Sequence, residues 1–402
     1  MSTNYQEELL KMLPSASQRI ATANTFLNTY RPEIMMSGAG SGSGSTTLPV
    51  INIPVVVHIL YKDASQNITD EQVMSQIEAL NKAFNMQHAD TGRIPSYFRD
   101  IAASCRIEFC LAKVDPKGHA TNGIVRKSTW VTMYGIDDRI KYSDQGGDDA
   151  WDSEKYLNIW VGNLAGAMVG YSSPVGCPKD RDGVAVKPTA FGTNGIASAP
   201  YHKGKTVVHE VGHWMGLRHI WGDATCGDDL VDDTPKQRTA NRGCPSGKKA
   251  GCDNTGTGEN YQNYMDLTSD DCMLMFTAGQ MNRMRSAFAP GGPRYGILSS
   301  NGCTGTPVAE PIEVPETEKP VVKLINVYPN PAQNVLVIDI KENIDLLGTD
   351  VQVVNQLGLP VKTFKLTQVK TSVNITQLAG GMYFVKLNGA GKKFQEKFIK
   401  IN

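Results

Sequence analysis

The chain has no excess of either charge. Its 40 Lys and Arg residues stand against 40 Asp and Glu, a formal net charge of zero. Such a balance supplies no global field towards nucleic acid or an anionic membrane, so neither is expected as a partner. No run approaches the roughly 18 to 20 consecutive apolar residues that a membrane span requires. Residues 1–20 lack a basic stretch followed by an apolar one, so a signal peptide, if the protein is secreted, is expected upstream of Met1. Cysteine is absent before Cys105 and after Cys303. Four of the eight cysteines, Cys226, Cys244, Cys252 and Cys272, crowd a Gly-, Asp- and Thr-rich stretch with little apolar periodicity. Disulfides are how such a stretch is held, which points to an oxidising compartment. None of the four forms a Cys-x-x-Cys pair, which argues against a structural zinc cluster there. No internal repeat is visible.

At 402 residues the chain is too long for one ordinary core. Residues 1–48 combine a patchy helical pattern with a Gly/Ser linker at 37–46 and read as a pro-segment. From residue 49 to 303 strands alternate with helices. The β-branched run IPVVVHIL at 53–60 predicts a buried strand, and Thr69 is placed to cap a helix carrying Val73, Ile77, Leu80 and Phe84. Further strands are expected at 106–114, 156–161 and 183–187, and helices at 205–216 and 277–284. Residues 304–322 are Pro- and Glu-rich and read as a linker; residues 323–402 show short alternating strands separated by turn signals, a small β-sandwich. The expected class is α+β: a twisted mixed sheet with a central helix, an irregular second subdomain, then the sandwich.

Chemistry concentrates in HEVGHWMGLRH, residues 209–219. On a helix His209 and His213 share one face and can chelate one ion, while Glu210 projects beside it as a proton acceptor. Gly216 can adopt a left-handed conformation that ends the helix and brings His219 back as a third ligand. Three imidazoles leave one position open, the arrangement of catalytic rather than structural zinc.

The longer pattern resembles the metzincin metallopeptidases, with Asn263-Tyr264-Met265-Asp266 as the Met-turn. IPVVVHIL, IEFCLA, HEVGHWMGLRH, VDDTP, NYMDL and FTAGQMNRM stand in the order of the pappalysin family, over about residues 50–290. The resemblance implies a two-subdomain, metzincin-like zinc endopeptidase acting on proteins or peptides through a zinc-activated water. By position it implies His209, His213 and His219 as zinc ligands, Glu210 as general base, and Met265 as an apolar floor under the histidines. It further implies disulfides Cys226–Cys252 and Cys244–Cys272, and structural calcium. Asp223, Asp228, Asp229, Asp232 and Asp233, with Thr234, offer the hard oxygens calcium prefers, Asp229, Asp232 and Thr234 being the named candidates. A basic residue after the scissile bond, met by an acidic pocket, is also implied. Two departures stand out. Leu267 replaces the Tyr common in the family two residues after the Met-turn methionine, which removes a hydroxyl from oxyanion stabilisation. Residues 1–104 hold no cysteine to silence zinc, so latency would need Glu33 or steric occlusion.

Residues 323–402 resemble the C-terminal sorting domain of type IX secretion, on VYPNPA at 327–332 and LAGGMYFVK at 378–386. That implies export through the type IX machinery to the cell surface or medium. A monomer is expected. Cys105 and Cys110 are five apart in or near one extended segment, spanning roughly 16 Å, and should not pair with each other; Cys177 and Cys303 stay unassigned. The competing readings are a zinc-binding pseudoprotease, for which Leu267 argues, and a surface adhesin.

Overall fold

Strand β1 (Ile51–Tyr61) runs through the middle of the first unit, and nine of its eleven residues, INIPVVVHILY, are buried. Burial on both faces is what a β-branched run does when parallel neighbours flank it and helices or loops cover it. The computed structural model describes residues 14–30, 48–253, 256–305, 325–340, 346–356, 358–389 and 392–401. Along one edge of β1 lie β2 (Ile107–Leu111) and then β3 (Ile124–Ser128); on the other side follow β4 (Leu157–Val161), β6 (Gly183–Val186) and β5 (Gly170–Ser172). All pairs are parallel except β5 with β6, so an antiparallel strand closes that edge.

The two faces of β1 join different cores. Ile53, Val55, Val57 and Ile59 pack with Leu80 and Phe84 of α2 (Asp70–Phe84) and with Val207 and Val211 of α3 (Lys205–Trp214). Leu60, with Trp160 and Tyr171, meets Ala16 and Ile20 of α1 (Pro14–Thr29). Thr69 caps α2 by accepting from Gln72 N–H at 3.2 Å. Two buried glutamines on α2 then shape the loop that leads into α3. Gln72 Nε2 donates to the Pro188 and Phe191 carbonyls, and Gln76 Nε2 donates to Gly204 O at 3.0 Å. Gly204 is the N-cap of α3, at φ +70°.

After α3 the chain is irregular until α4 (Ala278–Ser286), whose start is a capping box of Thr277 and Gln280. Disulfides join Cys226 to Cys252 and Cys244 to Cys272 across the irregular stretch. A third, Cys110–Cys303, ties β2 to the end of the unit, and Cys105 and Cys177 are buried free thiols. The second unit, 313–402 against 1–312 for the first, holds two antiparallel sheets over one core. One sheet runs β10 (Pro360–Lys365), β9 (Asp350–Asn355), β12 (Gly381–Gly389), β13 (Lys392–Lys400); the other runs β11 (Lys370–Asn374), β8 (Val335–Ile340), β7 (Ile325–Tyr328). The structure thus shows the α+β class with a C-terminal sandwich.

Four strands escape the pattern reading. β3 (sequence IVRKS) has no fully buried residue, β5 is three residues long, β7 buries only Ile325 and β11 only Val373, so none carries a strong alternation. The helix expected at 205–216 ends at Trp214, because Gly216 takes φ +94°. The Gly/Ser linker, residues 306–322 of the Pro/Glu linker and Glu33 lie outside the described residues.

The cysteine arrangement has a direct test. Burial pushes both free thiols well above their usual pKa, so the native chain should react with no thiol reagent at neutral pH. Denatured without reductant, it should titrate two thiols, and peptide mapping should find them at Cys105 and Cys177; any other pair would refute the assignment.

Candidate active site

The face of α3 that carries His209 and His213 is buried, and the turn after it decides the geometry of the site. Gly216 N–H donates to His213 O at 2.8 Å and Leu217 N–H to Gly212 O at 3.0 Å, a Schellman ending. The left-handed Gly216 reverses the chain and delivers His219, 1% exposed, to the other two rings. His209 and His213 Nε2 stand 3.0 Å apart, and one nitrogen from each of the three rings falls within 4.8 Å of the others.

Each ring's other nitrogen is occupied. Nδ1–H donates to Tyr264 O at 2.7 Å from His209, to Leu217 O at 2.8 Å from His213, and to the Asp223 carboxylate at 2.5 Å from His219. Those acceptors make Nδ1 the protonated nitrogen and leave the Nε2 lone pairs facing inward. Burial drives all three imidazoles to the neutral form, His209 down to about 4 and His213 and His219 well below the usual imidazole value. Among the described residues, the buried His219 Nε2 and Glu210 Oε2 have no hydrogen-bond partner. Burial pushes the Glu210 carboxyl up to about 8. Neutral rings with convergent lone pairs and an orphaned carboxylate oxygen fit one divalent cation of borderline softness.

Neighbouring segments complete the shell. Met265 lies under α3: a Cβ at Gly212 would fall 2.6 Å from its sulfur, so only glycine admits the methionine there. Trp221 stacks on His219 with centroids 4.2 Å apart. At the sheet edge, a Cβ on Gly170 of β5 would meet Glu210 Cγ at 3.1 Å, so glycine lets that strand run beside the carboxylate. Leu267, Thr268 and Asp270 line a small cavity together with Gly170, His209 and Glu210, and exposed Arg242 lines it too. Tyr264 is fully buried, its hydroxyl held by Lys205 Nζ at 3.3 Å, and does not replace the hydroxyl missing at Leu267.

The acids counted as calcium candidates divide. Asp223 serves His219. Asp233 accepts from Thr277 Oγ1 at 2.6 Å and Gly279 N–H at 2.7 Å, so it anchors the start of α4. Asp229 is buried and joined to Thr234 at 2.8 Å, with its Oδ2 unpartnered; Asp232 is exposed. Among the described residues the histidine triad is the one group of three His, Cys, Asp or Glu side chains set for a metal, so Asp229 and Asp232 belong to no second such cluster. Sequence reading missed Gly212, Trp221, Gly170, Asp270 and the donor role of Asp223's partner. The i+4 spacing of Asp223 from His219 was the available signal.

Comparisons with known proteins place this geometry. A family described as pregnancy-associated plasma protein-A, peptidase M43, matches residues 141–289, and the secretion system C-terminal sorting domain matches 326–402. An extracellular metalloprotease of Arthroderma otae is 30% identical over 64% of this chain and 86% of its own length. One of Coccidioides posadasii is 40% identical, but the match spans 32% of this chain and 48% of that protein. Among solved structures, Tannerella forsythia mature mirolysin in complex with a cleaved peptide is 45% identical over 63% of this chain and 97% of its own, with a TM-score of 0.62. A Tannerella forsythia promirolysin mutant is 41% identical over 73% and 94%, with a TM-score of 0.64. Fold, site and relatives define an extracellular metalloprotease, secreted or held at the cell surface, with a sorting domain that addresses it to the type IX machinery. The chain belongs to the pregnancy-associated plasma protein-A family of peptidases. Among the described residues no helix is long and apolar enough to cross a membrane.

The buried ring of His88 yields a prediction. It contacts Tyr264, whose carbonyl holds His209, and donates through Nε2 to Leu274 O at 2.8 Å. Burial, then the Lys205 charge, lowers its pKa to about 4. A histidine lowered on folding costs stability as pH falls from about 6.5 towards 4, because the unfolded chain takes the proton first. The His88 ring should therefore titrate near 4 by NMR, and His88→Gln should flatten the loss of melting temperature across that window. A midpoint near 6.5 would contradict the assignment.

Proposed function

We propose that His209, His213 and His219 hold one zinc ion through Nε2 and that Glu210 is the general base of peptide-bond hydrolysis. The observation that carries this is the convergence of three Nε2 atoms, each with its Nδ1 committed elsewhere, beside the unpartnered Glu210 Oε2. Zinc, when bound there, supplies Lewis acidity that polarises the scissile carbonyl and acidifies water. Glu210 Oε2 takes the proton of the attacking water and delivers it to the departing amine. The low-dielectric burial that raises its pKa suits a group that must both accept and return a proton near neutral pH. Gly170 keeps the edge of the sheet close enough to present a substrate's backbone to that carboxylate.

Asp270 supports a preference for a basic residue after the cut. It is 2% exposed, lines the cavity beside Glu210 and accepts from Lys203 and Lys205 N–H. For calcium, the support is the buried, unpartnered Asp229 Oδ2 beside Thr234, with Asp228, Asp232 and Asp233 along one cleft. Residues 1–48 are read as a pro-segment, and the longer alignment with the promirolysin mutant, 73% against 63% of the chain, favours it. The tail is read as removed after export. The rival reading, a pseudoprotease, rests on the apolar Leu267 beside Glu210, which offers no hydroxyl to a developing oxyanion; nothing in the site favours an adhesin.

Elemental analysis of the purified chain is expected to give one zinc and one calcium. Glu210→Ala should retain the zinc and lose cleavage of casein by about 100- to 10,000-fold. A zinc-loaded wild type that cleaves nothing, with or without residues 1–48, would establish the pseudoprotease instead, and absent calcium would remove that ion alone. Asp270→Asn should cut kcat/KM for substrates with Lys or Arg after the scissile bond by about 10- to 100-fold, the worth of one charged hydrogen bond. Its effect on a neutral residue at that place should be much smaller. An equal loss on both would show that Asp270 only supports the loop.

A further inference from the structure

The N-terminal helix α1 does not reach the cavity beside Glu210; none of its residues lines it. It lies against the far side of the turn that follows α3. Ala16, Ile20, Ala23 and Leu27 form its buried face, a spacing of four, three and four residues that makes one stripe. Leu27 reaches Gly216 itself: a Cβ there would stand 2.3 Å from Leu27 Cδ1. Ala23 and the Arg19 carbonyl press on Gly176 in the same way, at 3.1 and 2.7 Å from its would-be Cβ. A polar link runs parallel to this packing. Arg283 of α4 donates through Nε to Gly216 O at 2.8 Å and through Nη1 to Asn28 Oδ1 at 2.8 Å. One guanidinium thus clamps the left-handed glycine to the end of α1.

Gly216 lies between His213 and His219, and its φ of +94° is what returns the chain to the metal site. Glycine enters that region without steric cost and leaves it as readily, so its surroundings decide how firmly the turn is held. Here the surroundings are Leu27 on the open side of the glycine and Arg283 on its carbonyl. Resting on the zinc reading above, we infer that α1 braces the metal-binding turn: Leu27 and Asn28 are positioning residues that set His219 through Gly216. Helix α1 thereby acts on the metal centre from behind its third ligand. Its loss on maturation loosens the third ligand.

Zinc transfer from the full-length protein to a chromophoric chelator tests this, together with the visible spectrum of the cobalt-substituted protein, which reports ligand geometry. Leu27→Ala should release zinc about tenfold faster than wild type, within the range for groups that orient metal ligands, and should alter the cobalt bands. Leu27→Met should restore release to within about twofold, since it refills the volume. Asn28→Ala removes the charge-assisted hydrogen bond from Arg283 at an exposed position and should accelerate release about threefold. Should Leu27→Ala fail to fold, Asn28→Ala decides alone, because it empties no core. Wild-type release and unchanged cobalt bands in the folded variants would overturn the brace while leaving the zinc site standing. A wild type that binds no zinc would overturn both.

Discussion

Three imidazoles cannot be buried side by side, away from water, unless each has a use for its second nitrogen. An unpaired buried N–H costs about 1–3 kcal/mol, and a ring free to flip its tautomer would not aim a lone pair. The acceptors that solve this are Tyr264 O, Leu217 O and the Asp223 carboxylate. Not one of them belongs to α3. The helix that supplies two histidines therefore depends on the chain beyond it for their orientation, and the Met-turn, the glycine turn and the loop after His219 each supply one acceptor.

The same dependence extends upstream. Nothing in α3's own sequence secures its first turn, whose N-cap is a left-handed glycine without a capping side chain. Gln76 of α2 holds the Gly204 carbonyl, and Asp270 accepts from Lys203 and Lys205 N–H just around it. The start of the metal helix is thus pinned from two elements far apart in sequence. Asp270 joins this scaffold to the cavity beside Glu210, so the group read as a specificity determinant also fixes the helix that carries Glu210.

How much of this could be read in the sequence follows from the range of each interaction. The helix period placed His209 and His213 together, and Gly216 announced the turn, because both are local. β1 was legible because its run is β-branched and buried on both faces. Short edge strands were not: β5 is defined by its neighbour β6, and its three residues carry no period of their own. Gly212 was hidden for the opposite reason. A glycine within a helix looks like a mild defect, and only the Met265 sulfur packed on it, 53 residues later, shows why no side chain is admitted. Long-range acceptors such as Tyr264 O leave no trace in composition, since every residue has a carbonyl.

Residues 222–253, between α3 and α4, are mostly exposed or half-buried, and covalent and polar links hold them. Disulfides with sequence separations of 26 and 28 close the segment between the two helices twice, each restricting the unfolded chain by roughly 3–4 kcal/mol in the chain-entropy view. Between them Asp266, next to Met265, accepts from Asn241 N–H and Nδ2, Gln237 Nε2 and Leu267 N–H. That buried carboxylate ties the cysteine-rich loop to the residue beneath the histidines. A site assembled this way needs an oxidising compartment to be built, which is the compartment its sorting domain reaches. The metal centre therefore depends on the export signal: delivered anywhere reducing, the loops would lose the staples that hold the acceptors under the histidines.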